Sequence, residues 1–119
     1  MSALDDALQM SRSGDVEGAV KLLRAVPVMN EAHLSLLFQL VTMRDVPDEA
    51  LEIAGKALAL AKLPIATSTW ALRRGLIHLE KGHRDDALKD LQLVLKLRAS
   101  EEHQVQARQA LLRVAALKR

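Results

Sequence analysis

The stretch from residue 67 to residue 98 constrains the fold most, because it carries two helical patterns separated by one short turn. In the first pattern, leucines recur at Leu72, Leu76 and Leu79. In the second, apolar residues keep the same period from residue 88 to residue 97, after the turn Lys81-Gly82-His83. Intervals of three and four residues match the 3.6-residue period of a helix and contradict the alternation of a strand. The stretch therefore predicts a helical hairpin.

Small residues mark the place where the two helices of this hairpin come close. Gly75 on the first helix and Ala87 on the second have little or no side chain, and Leu91 follows one turn after Ala87. The helices can approach there while Leu91 fills the space beside them. A small residue on one helix, followed by Ala-x-x-x-apolar on the next, resembles the tetratricopeptide (TPR) repeat.

The same pattern occurs three times, which extends the resemblance over nearly the whole chain. Each occurrence has a turn residue, then acids in the first helical turn, then Ala and an apolar residue, at residues 14–20, 45–51 and 82–88. The alanines Ala19, Ala50 and Ala87 are separated by 31 and 37 residues, which bracket the 34-residue TPR period. Phe38 departs from the family pattern, since Gly or Ala is usual there.

The resemblance implies an all-α fold, a right-handed α-α superhelix of about three TPR-like hairpins closed by a C-terminal capping helix. We place the hairpins at about residues 2–26, 30–63 and 67–98 and the last helix at 101–118, within one domain spanning 1–119. With 50% hydrophobic residues but only 2% aromatics, the core must be built from Leu, Ala and Val, which favours helices. Pro64 is expected to end the fourth helix. Gly55, inside that helix, costs up to about 1 kcal/mol relative to Ala, so we expect a close helix approach there.

The third helix is apolar around most of its circumference. One stripe runs through Leu34, Leu37, Phe38 and Val41, and a second contains Leu36, Leu40 and Met43. Such a helix is buried on more than one side, as in the middle of a stack. Alternatively, one stripe faces a partner or a second copy of the chain.

Composition and charge exclude several classes of protein. The chain has no cysteine, so it has neither a disulfide framework nor a thiolate metal site. Its 17 basic and 15 acidic residues are interspersed, whereas a nucleic-acid surface would concentrate the basic ones. The first ten residues carry acids in place of the basic flank of a signal peptide, and no apolar run is long enough to insert into a membrane. We therefore expect a cytoplasmic protein.

No pattern of catalytic or metal-ligating residues is evident, so we expect neither an enzyme nor a cofactor or metal. The four histidines His33, His78, His83 and His103 lie on different predicted elements, without a helical i,i+4 pair. We interpret His78 as a packing residue. Three acidic pairs stand at predicted helix starts, where the helix dipole accounts for them. Trp70, the one tryptophan, is also expected to pack.

The resemblance implies a concave surface formed by the first helix of each hairpin, and this is our candidate binding site. Leu8 lies on the first of these helices, Ser35, Gln39 and Thr42 on the second, and Thr69, Leu72, Leu76 and Leu79 on the third. Leucines beside polar residues would suit an amphipathic helix or an extended peptide with apolar anchors. The alternative, given equal weight, is that the last helix covers these leucines.

From these features we expect a non-enzymatic adaptor or chaperone that holds a partner helix or peptide in a concave TPR groove. Small free-standing TPR proteins resemble the chaperones of bacterial specialised secretion systems, which keep a substrate soluble. Two alternatives remain: a homo-oligomeric scaffold module that self-assembles, and a regulatory domain that senses a short peptide. The sequence does not identify the partner.

Overall fold

A computed structural model describes residues 2–117 of the chain, and in that range it consists of seven helices without a strand. The all-α prediction is therefore confirmed. The helices are α1 (Ala3–Arg12), α2 (Val16–Arg24), α3 (Glu31–Met43), α4 (Pro47–Leu60), α5 (Pro64–Glu80), α6 (Arg84–Leu97) and α7 (Glu101–Ala115). The final helix was predicted to extend to residue 118, but α7 ends at Ala115; residue 118 itself lies outside the described residues.

Polar residues just before the helices fix several of the starts. The Ser2 hydroxyl accepts a hydrogen bond from the Asp5 amide (3.1 Å), and the Ser100 hydroxyl accepts one from the His103 amide (3.2 Å). Asp15 caps α2 in the same way. Each such cap satisfies a backbone N–H that has no partner within the helix and stabilises it by about 1 kcal/mol.

The boundary between the fourth and fifth helices was predicted wrongly. α4 ends at Leu60, three residues before the expected end, and Pro64 begins α5 instead of terminating α4. Proline fits the first helical position because its missing N–H would have no partner there, and its fixed φ already suits a helix. The third hairpin therefore begins at Pro64 and not at residue 67.

The turn residue of the repeated pattern has a structural reason. Gly14, Asp45 and Gly82 each lie between the two helices of a hairpin, and their φ angles are positive, at 94°, 56° and 76°. This left-handed conformation reverses the chain in a few residues. Glycine adopts it freely and aspartate tolerates it better than most residues do. The three similar turns bring α1 against α2, α3 against α4 and α5 against α6.

The core forms two clusters that meet at α5. Buried residues of α1 to α4 make the first cluster together with Trp70 and Ile77 of α5, whereas the second joins the other face of α5 to α6 and α7. On α3, residues of both apolar stripes are buried, as predicted, although Met43 is 65% exposed. Because α5 contributes to both clusters, it connects the two halves of the molecule.

Gly75 lies at the closest approach of α5 and α6. A Cβ atom placed on it would be 3.1 Å from Leu91 Cδ2 and 3.2 Å from Asp90 Cβ, which is tighter than ordinary contact. Ala87 and Leu91 are fully buried beside it. The small residue there thus serves close packing. The expectation for Gly55 was wrong, because a Cβ on Gly55 would meet no atom within 4 Å.

Substitutions of these two helical glycines are expected to change the stability in opposite directions. We expect Gly55→Ala to raise the free energy of unfolding by up to about 1 kcal/mol, because alanine restricts the unfolded chain and fits the open space. We expect Gly75→Val to lower it by about 1–3 kcal/mol through overpacking against Leu91. Urea denaturation followed by circular dichroism measures both. A stabilising Gly75→Val substitution would contradict the packing described above.

Candidate functional site

Side chains of α3 and α5 contact each other beside Arg73, and we call the surface around this contact the α3–α5 face. Residues three or four apart on a helix share one side, and this places three residues from each helix on the face. They are Ser35, Gln39 and Thr42 of α3 and Thr69, Arg73 and Leu76 of α5. The two rows meet where Arg73 Nη1 lies 3.4 Å from Ser35 Oγ. The structure thus brings the predicted residue Ser35 into contact with Arg73, and helical spacing places Gln39, Thr42, Thr69 and Leu76 on the same sides of their helices.

The Arg73 guanidinium lies close to two aromatic rings. Its guanidinium carbon lies 4.5 Å from the centroid of the Trp70 ring and 5.5 Å from that of Phe38, and the two rings meet edge to face. Trp70 is completely buried and Phe38 nearly so. The guanidinium therefore covers the rings and is attracted by their π faces. We call these three residues the Arg73 platform.

The charge on Arg73 has no acidic partner nearby within residues 2–117. The ion pairs of that range include Arg24, Arg44, Arg74 and Arg84, but not Arg73. Burial lowers the pKa of the Arg73 guanidinium, and the more distant charge of Glu31 offsets this in part. A half-buried cation without a carboxylate is a favourable place for an anionic group from outside the chain.

The other polar groups of the α3–α5 face differ in what they offer a ligand. The Thr69 hydroxyl donates to the Ile65 carbonyl at 2.9 Å, and the Thr42 hydroxyl donates to the Phe38 carbonyl. Both hydroxyl protons are therefore used within their own helices. Gln39 is exposed, and its amide can both donate and accept hydrogen bonds. Arg73 and Gln39 are thus the main donors on this surface.

The predicted leucine floor of the groove requires a correction. Leu72 and Leu79 are each only 5% exposed and share a core cluster with Ala107, Ala110 and Val114 of α7. α7 packs against both α5 and α6, so it covers the two leucines, as the alternative interpretation had it. Leu76 is half-buried at the edge of that cluster, and Leu8 is half-buried against the first cluster.

The neighbouring arginine has a different role. Arg74 donates from Nε and Nη2 to the two carboxylate oxygens of Asp90, both at 2.8 Å, and so joins α5 to α6 next to Gly75. This hydrogen bonding raises the pKa of Arg74. Asp90 is 3% exposed. The pair is therefore an internal ion pair of the hairpin, whereas Arg73, one residue earlier, points to another face of α5.

A second group of chemically capable side chains lies at the turn between α5 and α6. Ligand atoms of His78, His83 and Asp86 all lie within 4.8 Å of one another, and the two histidine Nδ1 atoms are 3.0 Å apart. Burial is the main cause that lowers the pKa of His78. Sequence reasoning missed this group because it considered histidine pairs within one helix and not across a turn.

A cleft lies elsewhere, between the C-terminal ends of α2 and α4. Its volume is about 460 Å³, and Arg24, Lys56, Leu60, Met29 and Pro27 contribute to its lining. Arg24 is already paired with Glu49. None of the predicted site residues lines this cleft.

Comparisons with protein-family models, with curated proteins and with solved structures gave no match. Within residues 2–117, no helix combines the length and the apolar character that crossing a membrane requires. Any functional conclusion must therefore come from the side chains.

Proposed function

We propose that this protein is a non-enzymatic binding module, built from TPR-like hairpins, that holds a segment of a partner protein on the α3–α5 face. The observation that carries the proposal is the Arg73 platform. A guanidinium lies there over the Trp70 ring and near the Phe38 ring, and it forms no ion pair with an acid within residues 2–117. The repeated helical hairpins, whose first helices supply this face, support the TPR-like interpretation.

The chemistry of the platform indicates the partner group that it binds. An arginine presents a planar fork of N–H donors that matches the two oxygens of a carboxylate. The contacts with Trp70 and Ser35 restrict the Arg73 side chain, so less conformational entropy is lost when the anion binds. The occupant is therefore a peptide segment with an Asp or Glu side chain, or a chain-terminal carboxylate, over Arg73.

Other residues of the α3–α5 face would make the remaining contacts with such a peptide segment. Gln39, one turn along α3 from Ser35, can hydrogen-bond to the main chain of an extended peptide. Leu76, one turn along α5 from Arg73, offers a half-buried apolar contact beside the carboxylate. A segment with an acidic residue next to an apolar one would satisfy both. This site replaces the leucine groove expected from the sequence, since α7 covers Leu72 and Leu79.

Peptide selection tests the proposal and does not require the partner to be identified. A random peptide library displayed on phage is selected against the wild type and against Arg73→Met, which removes the charge but keeps an apolar cover over Trp70. We expect the wild type to enrich peptides with an acidic residue at one fixed position, and Arg73→Met to lose that enrichment. Affinities of the selected peptides should fall by about tenfold or more, since a charge-assisted bidentate contact contributes about 1.5–3 kcal/mol.

The matched control is Arg113→Met, which removes an equal charge from an exposed arginine of α7. It should enrich the same peptides as the wild type. Circular dichroism verifies that each variant remains helical. Equal loss of acidic peptides in both variants would mean that net charge, and not the platform, attracts them. Selection of peptides without any acidic preference would refute the proposal.

Self-association is a second candidate function, and exposed apolar residues on α7 favour it. Leu112 is 76% exposed and Val105 is 42% exposed. The two residues share a side of α7 that does not face the core. A second copy of the chain could cover them. Light scattering after size exclusion should then give a dimer or larger species, and Leu112→Lys should return it to a monomer. A monomeric wild type at high micromolar concentration would exclude this candidate.

A further inference from the structure

We propose that His78, His83 and Asp86 form a binding site for a divalent transition metal of the kind that imidazole prefers, such as Zn²⁺. His78 lies in the last turn of α5, His83 directly precedes α6, and Asp86 lies in the first turn of α6. A bound ion would therefore connect the two helices across their turn. We call these three residues the His–His–Asp cluster; the inference is independent of the α3–α5 face.

The distances within the cluster already resemble those of a ligand set. The two Nδ1 atoms are 3.0 Å apart, and all three ligand atoms lie within 4.8 Å of one another. Two nitrogens bound to zinc at 2.0–2.1 Å in tetrahedral geometry are separated by about 3.3 Å. The two nitrogens would separate by about 0.3 Å to reach that distance, the proton of the Nδ1–Nδ1 hydrogen bond would be released to solvent, and the Asp86 carboxylate would be the third ligand.

The backbone at the turn holds the two rings near each other. The His83 amide donates to the His78 carbonyl at 2.8 Å, which fixes the spacing of the two residues. His83 occupies the N-cap position of α6, yet its side chain accepts no hydrogen bond from the helix. Ser2, Asp15, Asn30 and Ser100 do cap their helices from the same position. The His83 ring is directed instead toward His78, with ring centroids 5.3 Å apart.

The charges around the cluster do not oppose a cation. Lys81 is paired with Asp48, Arg74 with Asp90, and Arg84 lies 3.4 Å from Asp85. These three basic side chains are thus each matched by a carboxylate. Asp86 forms no ion pair within residues 2–117, so its carboxylate is available as a ligand.

The ligand types determine which ions fit. Imidazole nitrogens suit Zn²⁺, Ni²⁺ and Cu²⁺, whereas Mg²⁺ and Ca²⁺ are bound mainly by oxygen. Two imidazoles and one carboxylate occupy three of the four positions around a tetrahedral zinc ion. Because His83 and Asp86 are exposed, water can reach the fourth position. The site would therefore resemble zinc sites that have three protein ligands and one water. Its affinity for Zn²⁺ should be far higher than its affinity for Mg²⁺.

Calorimetric titration of ZnCl₂ into the full chain, without an affinity tag, tests the proposal. We expect one Zn²⁺ per chain for the wild type, and at least about a tenfold weaker affinity for His83→Asn and for Asp86→Asn. Asparagine at residue 83 is a good helix cap, so this variant should fold at least as well as the wild type. MgCl₂ titrated in the same way should give no measurable binding.

Two control variants remove the same chemical groups outside the cluster. Asp85→Asn removes the adjacent acid from the same helical turn, and His33→Gln removes a histidine at a position where glutamine can still complete the capping box. Both should bind Zn²⁺ with an affinity close to that of the wild type. Equal weakening by Asp85→Asn and Asp86→Asn would overturn the proposal, as would a wild type that binds no Zn²⁺ at micromolar concentration.

Discussion

Replacement of Trp70 by alanine should lower the free energy of unfolding by about 3–5 kcal/mol, the largest effect of any single substitution considered. Trp70 is completely buried, and its ring meets Phe38 edge to face at 5.5 Å between centroids. It stands on α5 yet belongs to the core cluster of α1 to α4. Alanine would leave a cavity at the contact between the two halves and remove the support of Arg73.

Urea denaturation followed by circular dichroism measures this loss, since the variant has no tryptophan fluorescence. Trp70→Phe is the matched control. It keeps an aromatic ring beneath Arg73 and removes the buried Nε1 donor, which has no partner within residues 2–117. We expect a loss of about 1–2 kcal/mol for this variant, well below that of alanine. A loss for Trp70→Ala below 1 kcal/mol would show that α3 and α5 do not depend on this contact.

Replacement of Arg74 by alanine should lower the free energy of unfolding by about 2–4 kcal/mol. The change leaves the Asp90 carboxylate, whose side chain is 4% exposed, without its bidentate partner. Removal of one member of a buried ion pair costs about 3–5 kcal/mol because the other charge remains desolvated. The Arg74 side chain is 32% exposed, so water can reach the vacated space and reduce this cost somewhat.

Two further variants separate the ion pair from general effects of charge. Arg24→Ala breaks a pair with Glu49 whose side chains are 48% and 22% exposed, and should cost less than about 1 kcal/mol. Arg74→Leu combined with Asp90→Leu removes both charges and should recover a large part of the stability lost in Arg74→Ala. If the double variant is less stable than Arg74→Ala, the desolvated carboxylate is not the cause of the loss.

The local signals in the sequence predicted the helices well because their causes are local. The caps at Ser2 and Ser100 and the apolar period of α6 depend on residues within a few positions of each other. The role of Pro64 was predicted wrongly because a proline can either follow the end of one helix or occupy the first turn of the next. The choice depends on whether the preceding residues pack as helix. Gly55 and Gly75 cannot be distinguished in the sequence. They differ in how close the atoms of a neighbouring helix lie to each of them.

The candidate site was harder to predict because it depends on which helix covers which face. The spacing of Leu72 and Leu79 fits the floor of a binding groove and fits a buried core equally well. The two leucines are core residues because α7 packs over them. Arg73 and Arg74 are adjacent in the sequence, but one stacks on Trp70 and the other pairs with Asp90. Likewise, the His–His–Asp cluster forms only once the turn at Gly82 brings α5 and α6 together. Local patterns contain no such information on distance.

Mapping of the bound peptide on the protein tests the central claim most directly. A selected acidic peptide is titrated into the ¹⁵N-labelled protein, and amide shifts are followed by NMR. We predict that the largest shifts lie on the α3–α5 face, at Ser35, Gln39 and Arg73, and that the Arg73 Nε–H signal shifts as the carboxylate binds. Shifts concentrated instead at the cleft lined by Met29, Lys56 and Leu60, with the α3–α5 face unchanged, would contradict the account.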